Sequence, residues 1–233
     1  MKQTKMRALF FDTETTGLPK ERNKPASAGP NNWPEPVSIS WAVTDGPKII
    51  RAKSYLIQPN GWQIPQDSIK IHGITQKMAE QDGVDLKHVM KEFVRDLLHV
   101  DIIIAHNIEF DKNVIIAAAL YHCRDDLALK WPTYEFCTCE NSRAICKLPT
   151  YKPTFSGIYK APKLTEVYVH AFKTPPPEIF LHTSLGDVLV LVATFFKLWT
   201  LEQVVTYARE GSRNQGLLQL RGALGDSPSA VDV

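Results

Sequence analysis

Short, uniformly apolar runs alternate with helical stripes along this chain. Residues 8–11 (ALFF) are wholly apolar, which predicts a strand buried on both faces and ending at Asp12. Five prolines among polar residues mark 19–36 as a long exposed loop. Val37, Ile39, Trp41 and Val43 then alternate as a second strand, and a turn at Asp45-Gly46-Pro47 leads into a third over 49–57, forming a hairpin. Leu86, Val89, Met90, Phe93, Val94 and Leu97 recur at helical spacing behind Asp85, so 85–98 is a helix with an Asp N-cap. Residues 101–105 (DIIIA) are another buried strand, followed by an Ala-rich helix over 107–122. A strand near 134–138 and helices near 140–147, 164–172 and 185–199 complete the pattern. Strands alternating with helices after an opening meander predict an α/β sandwich. The domain is expected over 1–200, with a C-terminal helix and flexible tail over 201–233.

Composition narrows the class. The 233 residues are 44% hydrophobic and 22% charged, enough for one substantial core and unlike a disordered polyelectrolyte. A net charge of +2 permits a nucleic-acid partner without demanding one. No apolar run approaches the ~18 residues of a membrane span, so no membrane association is expected. The four cysteines include a CxC at Cys137 and Cys139, but no second pair stands at zinc-finger spacing. Free thiols in a reducing, cytoplasmic compartment are the expectation.

Three fragments carry candidate chemistry. Asp12 and Glu14 stand two apart at a strand end, so their carboxylates share a face and converge. Two converging anions with no Lys or Arg fixed nearby favour a divalent cation between them. In AHNIEFD (105–111), Asn107 and Asp111 are spaced to share a helix face near a helix start, on the same edge of a parallel pair as Asp12. In HTSLGDV (182–188), Thr183 or Ser184 caps a helix whose first turns contain Asp187. His182 and Asp187 are about 140° apart in a regular helix, so their convergence requires His182 to stand in the entry loop.

Alone, each fragment has a bland account as a cap, a solvated carboxylate or a surface histidine. Together, four acidic residues at strand ends and helix starts suit Mg²⁺ or Mn²⁺, which prefer oxygen ligands. Two such ions about 3.5–4 Å apart can flank a scissile phosphate. His182 has a suitable unperturbed pKa, near 6.5, for accepting a proton from water.

The order DxE, HNxxFD, HxxxxD resembles the DEDDh exonucleases, typified by the proofreading subunit of the bacterial replicative polymerase and by RNase T. FFDTETTGL, AHNIEFD and HTSLGDV match the three motifs within about 7–198. The resemblance implies an RNase H-like three-layer α/β/α fold with a central mixed five-stranded sheet. It also implies stepwise release of nucleoside 5′-monophosphates from the 3′ end of a nucleic acid, preferably single-stranded DNA, with RNA as the alternative. Asp12, Glu14, Asp111 and Asp187 take the metal-ligand roles, for two Mg²⁺ or Mn²⁺ ions, and His182 the general-base role. Thr13, Thr15, Thr16 and Phe110 are candidates for contact with the terminal nucleotide, as are Asn107 and His72, the latter in PQDSIKIHGIT. Thr183 stands where the commoner third motif has Asp, while base and ligand are retained. A polymerase or a second copy of the chain is compatible as a protein partner.

Two other readings compete. FFDTET is similar to a strand-end phosphatase motif with an Asp nucleophile, but Glu14 replaces its second Asp. A catalytically weak nucleic-acid-binding module on the same fold is the other, opposed by the presence of all five chemical residues.

Overall fold

The structure is a computed structural model that describes residues 6–125, 127–154, 157–178 and 183–206. Its main sheet has five strands in the order β3-β2-β1-β4-β5: β1 (Arg7–Thr15), β2 (Pro36–Asp45), β3 (Lys48–Leu56), β4 (Ile102–Ala105) and β5 (Glu135–Cys137). The first three form the expected antiparallel meander, whereas β4 and β5 join in parallel, so the sheet is mixed. The β2–β3 turn falls where Asp45-Gly46 predicts it, and Gly46 adopts φ 57°, a left-handed conformation that costs glycine little.

Alternation along β1 divides the core into two layers. Leu9 and Phe11 point to one face and pack with Ile39, Trp41 and Ile103 beneath α3 (Leu86–Leu97) and α4 (Ile108–Ala118). Ala8 and Phe10 point to the other, packing with Ala42, Ile104 and Phe136 against α7 (Ser184–Leu198). Helices thus cover both faces, giving the expected three-layer α/β/α architecture. Leu201, Val204 and Val205 are buried in the α7 layer, whereas residues 207–233, which include the expected tail, lie outside the described residues.

The Asp85 carboxylate caps α3 as predicted, accepting from the His88 amide at 3.2 Å. The helices expected near 140–147 and 164–172 are α5 (Thr138–Cys146) and α6 (Leu164–Phe172). Periodicity did not reveal α1 (Gln66–His72), α2 (Gln76–Asp82) or the hairpin of β6 (Pro149–Thr154) and β7 (Gly157–Tyr159). Each is too short to show a repeating apolar stripe.

Three expectations need correction. Strand β1 does not end at Asp12 but continues to Thr15, because β2 goes on supplying partners: Asp12 faces Ser40 and Glu14 faces Ser38. The proline-rich segment is not simply exposed. It contains a 3₁₀ turn (Ala26–Asn31) packed on α4, and Trp33 is buried with its indole N–H donating to the Pro25 carbonyl at 3.0 Å. Asn107 does not share a helix face with Asp111. It occupies the N-cap position in a left-handed conformation, φ 66°, so α4 starts one residue later than expected.

Candidate active site

The carboxylates of Asp12, Glu14 and Asp187 lie with one oxygen of each within 4.8 Å of the others. Asp12 and Glu14 project from the same face of β1 as Phe10, toward the layer that contains α7. Three small hydroxyls bring α7 there. Ser184, in the first turn of α7, hydrogen-bonds Ser38 at 2.9 Å and Ser40 at 2.7 Å, the β2 residues opposite Glu14 and Asp12. These buried contacts press the helix start against the strand, and Asp187 follows one turn later. Thr183 caps α7, its hydroxyl accepting from the Gly186 amide at 3.1 Å.

Asp111 reaches the site from the other layer. Buried in the first turn of α4, it accepts from the Thr13 amide at 3.1 Å and the Thr13 hydroxyl at 2.6 Å. The Thr13 amide is available because β4 pairs with β1 only as far as Phe10. Thr13 is itself buried, so its hydroxyl holds Asp111 in place.

Among the described residues no Lys or Arg pairs with Asp12, Glu14 or Asp111. Burial, reinforced by Asp111, Asp187 and Glu14, holds Asp12 well above the ordinary carboxylate range. Glu14 is pushed up to about 7 by burial and then by Asp187 and Asp111. Asp111 also rises to about 7, because burial outweighs the stabilising Thr13 hydrogen bonds and Asp187 adds repulsion. Hard oxygen donors this close and half-buried fit a divalent cation.

The remaining candidates surround this cluster unevenly. The Thr15 hydroxyl donates to the Gly17 carbonyl at 2.7 Å, closing the turn after β1. Thr16 is clasped by Glu35: its amide donates to the Glu35 carbonyl at 2.9 Å, and its hydroxyl accepts from the Glu35 amide at 3.0 Å. The Glu35 carboxylate in turn meets His122 Nε2 at 2.9 Å, both side chains being mostly buried. His72 is buried, its Nδ1 accepting from the Ile74 amide at 3.0 Å, and its Nε2 has no hydrogen-bond partner among the described residues. Burial lowers the His72 pKa, opposed by the backbone of Thr15 beside it. Asn107 and Phe110 line a small cavity with Pro19, Arg22, Trp33 and Glu109. His182 lies outside the described residues.

The sequence reading missed Ser38 and Ser40, and it saw in Ser184 only an alternative cap. The available signal was Ser38, Ser40, Ala42 and Thr44, four small residues at alternate positions of one strand, which let a helix approach closely. Leu18, which follows the Thr15–Gly17 turn, has 73% of its surface exposed.

A mixed five-stranded sheet between helices, with carboxylates gathered at the end of its central strand, defines the class as RNase H-like. Residues 9–195 match the profile of the RNase T family, described as exonuclease, and the chain belongs to that family. The solved structures agree with the fold. Exonuclease I from E. coli, in complex with a dA13 oligonucleotide, superposes with a TM-score of 0.63 at 18% identity, covering 87% of this chain and 42% of that one. A moderately thermophilic exonuclease I from Methylocaldum szegediense gives 0.64 at 17% identity, covering 91% and 44%. Exonuclease X bound to 5′-overhanging duplex DNA gives 0.55 at 21% identity, covering 86% and 99%. The chain thus spans less than half the length of the exonuclease I structures. None of the curated proteins matches it.

Proposed function

We propose that this chain is a metal-dependent 3′–5′ exonuclease that hydrolyses the terminal phosphodiester bond of single-stranded DNA, with RNA as the alternative substrate, and releases nucleoside 5′-monophosphates. The observation that carries this reading is the convergence of Asp12, Glu14 and Asp187 within 4.8 Å, in a chain of the exonuclease family. The oligonucleotide complexes of exonuclease I support a single-stranded substrate.

Asp12, Glu14, Asp111 and Asp187 would hold two Mg²⁺ or Mn²⁺ ions. When bound, such ions neutralise phosphate charge and lower the pKa of water. The chain's own residues do the rest. Thr13 fixes the Asp111 carboxylate through two hydrogen bonds, and Ser184 anchors the helix that bears Asp187. The turn at Thr15, braced by the Glu35–Thr16 clasp, and the buried Nε2 of His72 offer polar contacts to a terminal nucleotide. The exposed Leu18 side chain and Phe110 offer apolar surface to bases. We assign His182 the role of accepting the proton of the attacking water, since it precedes Thr183 at the cap of α7.

No described helix is long and apolar enough to cross a membrane. With all four cysteines free, we place the protein in the reducing cytoplasm. The test is direct. Full-length chain given Mg²⁺ or Mn²⁺ should shorten 5′-labelled single-stranded oligonucleotides one nucleotide at a time, and Asp12→Ala should not. Equal activity in both proteins, or none in either, refutes the reading.

A further inference from the structure

A second concave surface lies at the other end of the sheet. Arg7 at the start of β1, Val43 of β2, Ile50 and Arg51 of β3, and Arg95, Asp96 and His99 at the end of α3 enclose a groove of about 470 Å³. Arg7 is five residues from Asp12 along β1, or about 17 Å, and on the opposite face of the strand. One nucleotide therefore cannot touch both sites.

The single carboxylate in the groove is already satisfied. Asp96 is buried and accepts from the Trp41 indole N–H at 2.9 Å and from the Arg51 guanidinium. Arg95 uses one nitrogen on Glu92 at 2.7 Å, which leaves its other donors available. The Arg7 side chain makes no ion pair or hydrogen bond among the described residues; its backbone is engaged, with Asp101 and, across the strand pair, opposite Asp45. The Nδ1–H of His99 donates to the Arg95 carbonyl at 2.6 Å, so its Nε2 donates to a phosphate only when the ring is an imidazolium. Arginine forks chelate phosphate oxygens in pairs. A lone inorganic anion would not fill the groove, whose volume falls in the range of roughly 300–1,000 Å³ of small-molecule sites. Its apolar side, with Ile50 46% exposed, suits a sugar or base attached to the phosphate.

We propose that this groove is a second nucleotide-phosphate site, held chiefly by Arg7 and Arg95 and separate from the carboxylate centre. The choice of a nucleotide rests on the exonuclease reading. The phosphate comes either from the backbone of a nucleic-acid strand beyond the active site or from a free nucleoside monophosphate.

Binding is measured on full-length chain in EDTA, using dAMP and a fluorescent single-stranded 12-mer. Arg7→Gln/Arg95→Gln should lose at least tenfold in affinity for one or both probes, while kcat on a dinucleotide stays unchanged. Loss with dAMP identifies a free nucleotide, and loss confined to the 12-mer identifies the polymer backbone. Unchanged affinity for both probes, or equal competition by tetraglutamate, overturns the proposal. Should the double variant not fold, protection of Arg7 and Arg95 from phenylglyoxal in wild-type chain decides the matter: protection by either probe supports the site, and its absence under both refutes it. Protection in a chain that hydrolyses nothing would leave the groove standing while the exonuclease reading fails.

Discussion

Buried carboxylates occur at both ends of this sheet, in opposite electrostatic circumstances. Asp96 lies beneath β2 and β3 and is hydrogen-bonded by Trp41 and ion-paired with Arg51. Around Asp12, Glu14 and Asp111, the charges that most affect protonation are other carboxylates, and they raise it. One end is compensated by residues of the chain; a divalent cation would compensate the other. A buried acid paired with a cation of the chain is a feature of the fold, whereas carboxylates gathered against one another are the arrangement expected of a ligand site.

Substitution should separate the two ends most sharply. Asp12→Ala should lower nuclease activity by at least on the order of a thousandfold, several kcal/mol of transition-state stabilisation, while leaving the metal-free chain as stable as wild type or more so. Asp96→Ala should instead cost about 1–3 kcal/mol of stability, because the buried Trp41 indole N–H loses its acceptor while the half-exposed Arg51 keeps access to water. Activity assays and denaturant melts on both variants check this. The contrast fails if Asp12→Ala unfolds the chain or Asp96→Ala does not weaken it.

Metal should stabilise only the uncompensated end. At a concentration about a hundredfold above Kd, Mn²⁺ should add roughly 2.7 kcal/mol to unfolding stability, lost on EDTA treatment and absent in Asp12→Asn. A thermal shift that survives Asp12→Asn would place the ion elsewhere.

The pH dependence of the metal-free chain follows from the same cluster. Glu14 and Asp111 are held near 7 in the fold, above the ordinary 4.5 and 3.8 of such carboxyl groups. A raised carboxylate binds more protons folded than unfolded, so its contribution to stability is fully present below the unfolded pKa and falls as pH rises toward 7. Stability in EDTA should therefore decline between about pH 4 and 7, while metal affinity climbs through the same window. Melts across that range that stay flat, or rise, contradict raised carboxylates in the cluster.

Smaller effects test the supports. Thr13→Val removes both an acceptor-matched hydroxyl and a restraint on Asp111, and should cost about 1–2 kcal/mol together with activity. Glu35→Gln should be milder, raising KM a few-fold at most with kcat nearly constant, since the Thr16 clasp uses the Glu35 backbone and the substitution alters only the carboxylate's contact with His122. A kcat loss larger than the KM change would move Glu35 closer to the chemistry.

Much of this was legible in the chain itself. Asp12 and Glu14 at the end of an apolar run, Asp111 behind a buried strand and Asp187 at a capped helix start are local patterns, and strand alternation alone requires Asp12 and Glu14 to share a face. The long periodic elements, α3 and α7 above all, are equally local, because an apolar stripe is written in consecutive residues. Tertiary structure decided how far apart the pieces sit. Only folding brings Ser184 onto Ser38 and Ser40, across more than 140 residues of chain, and so sets Asp187 beside Asp12. Likewise, the Thr13 amide becomes Asp111's partner only because β4 stops short of it. Sequence determined which residues can carry charge and on which face. Burial, which removes water from several anions at once, belongs to the packed layers, and it makes those carboxylates a candidate site.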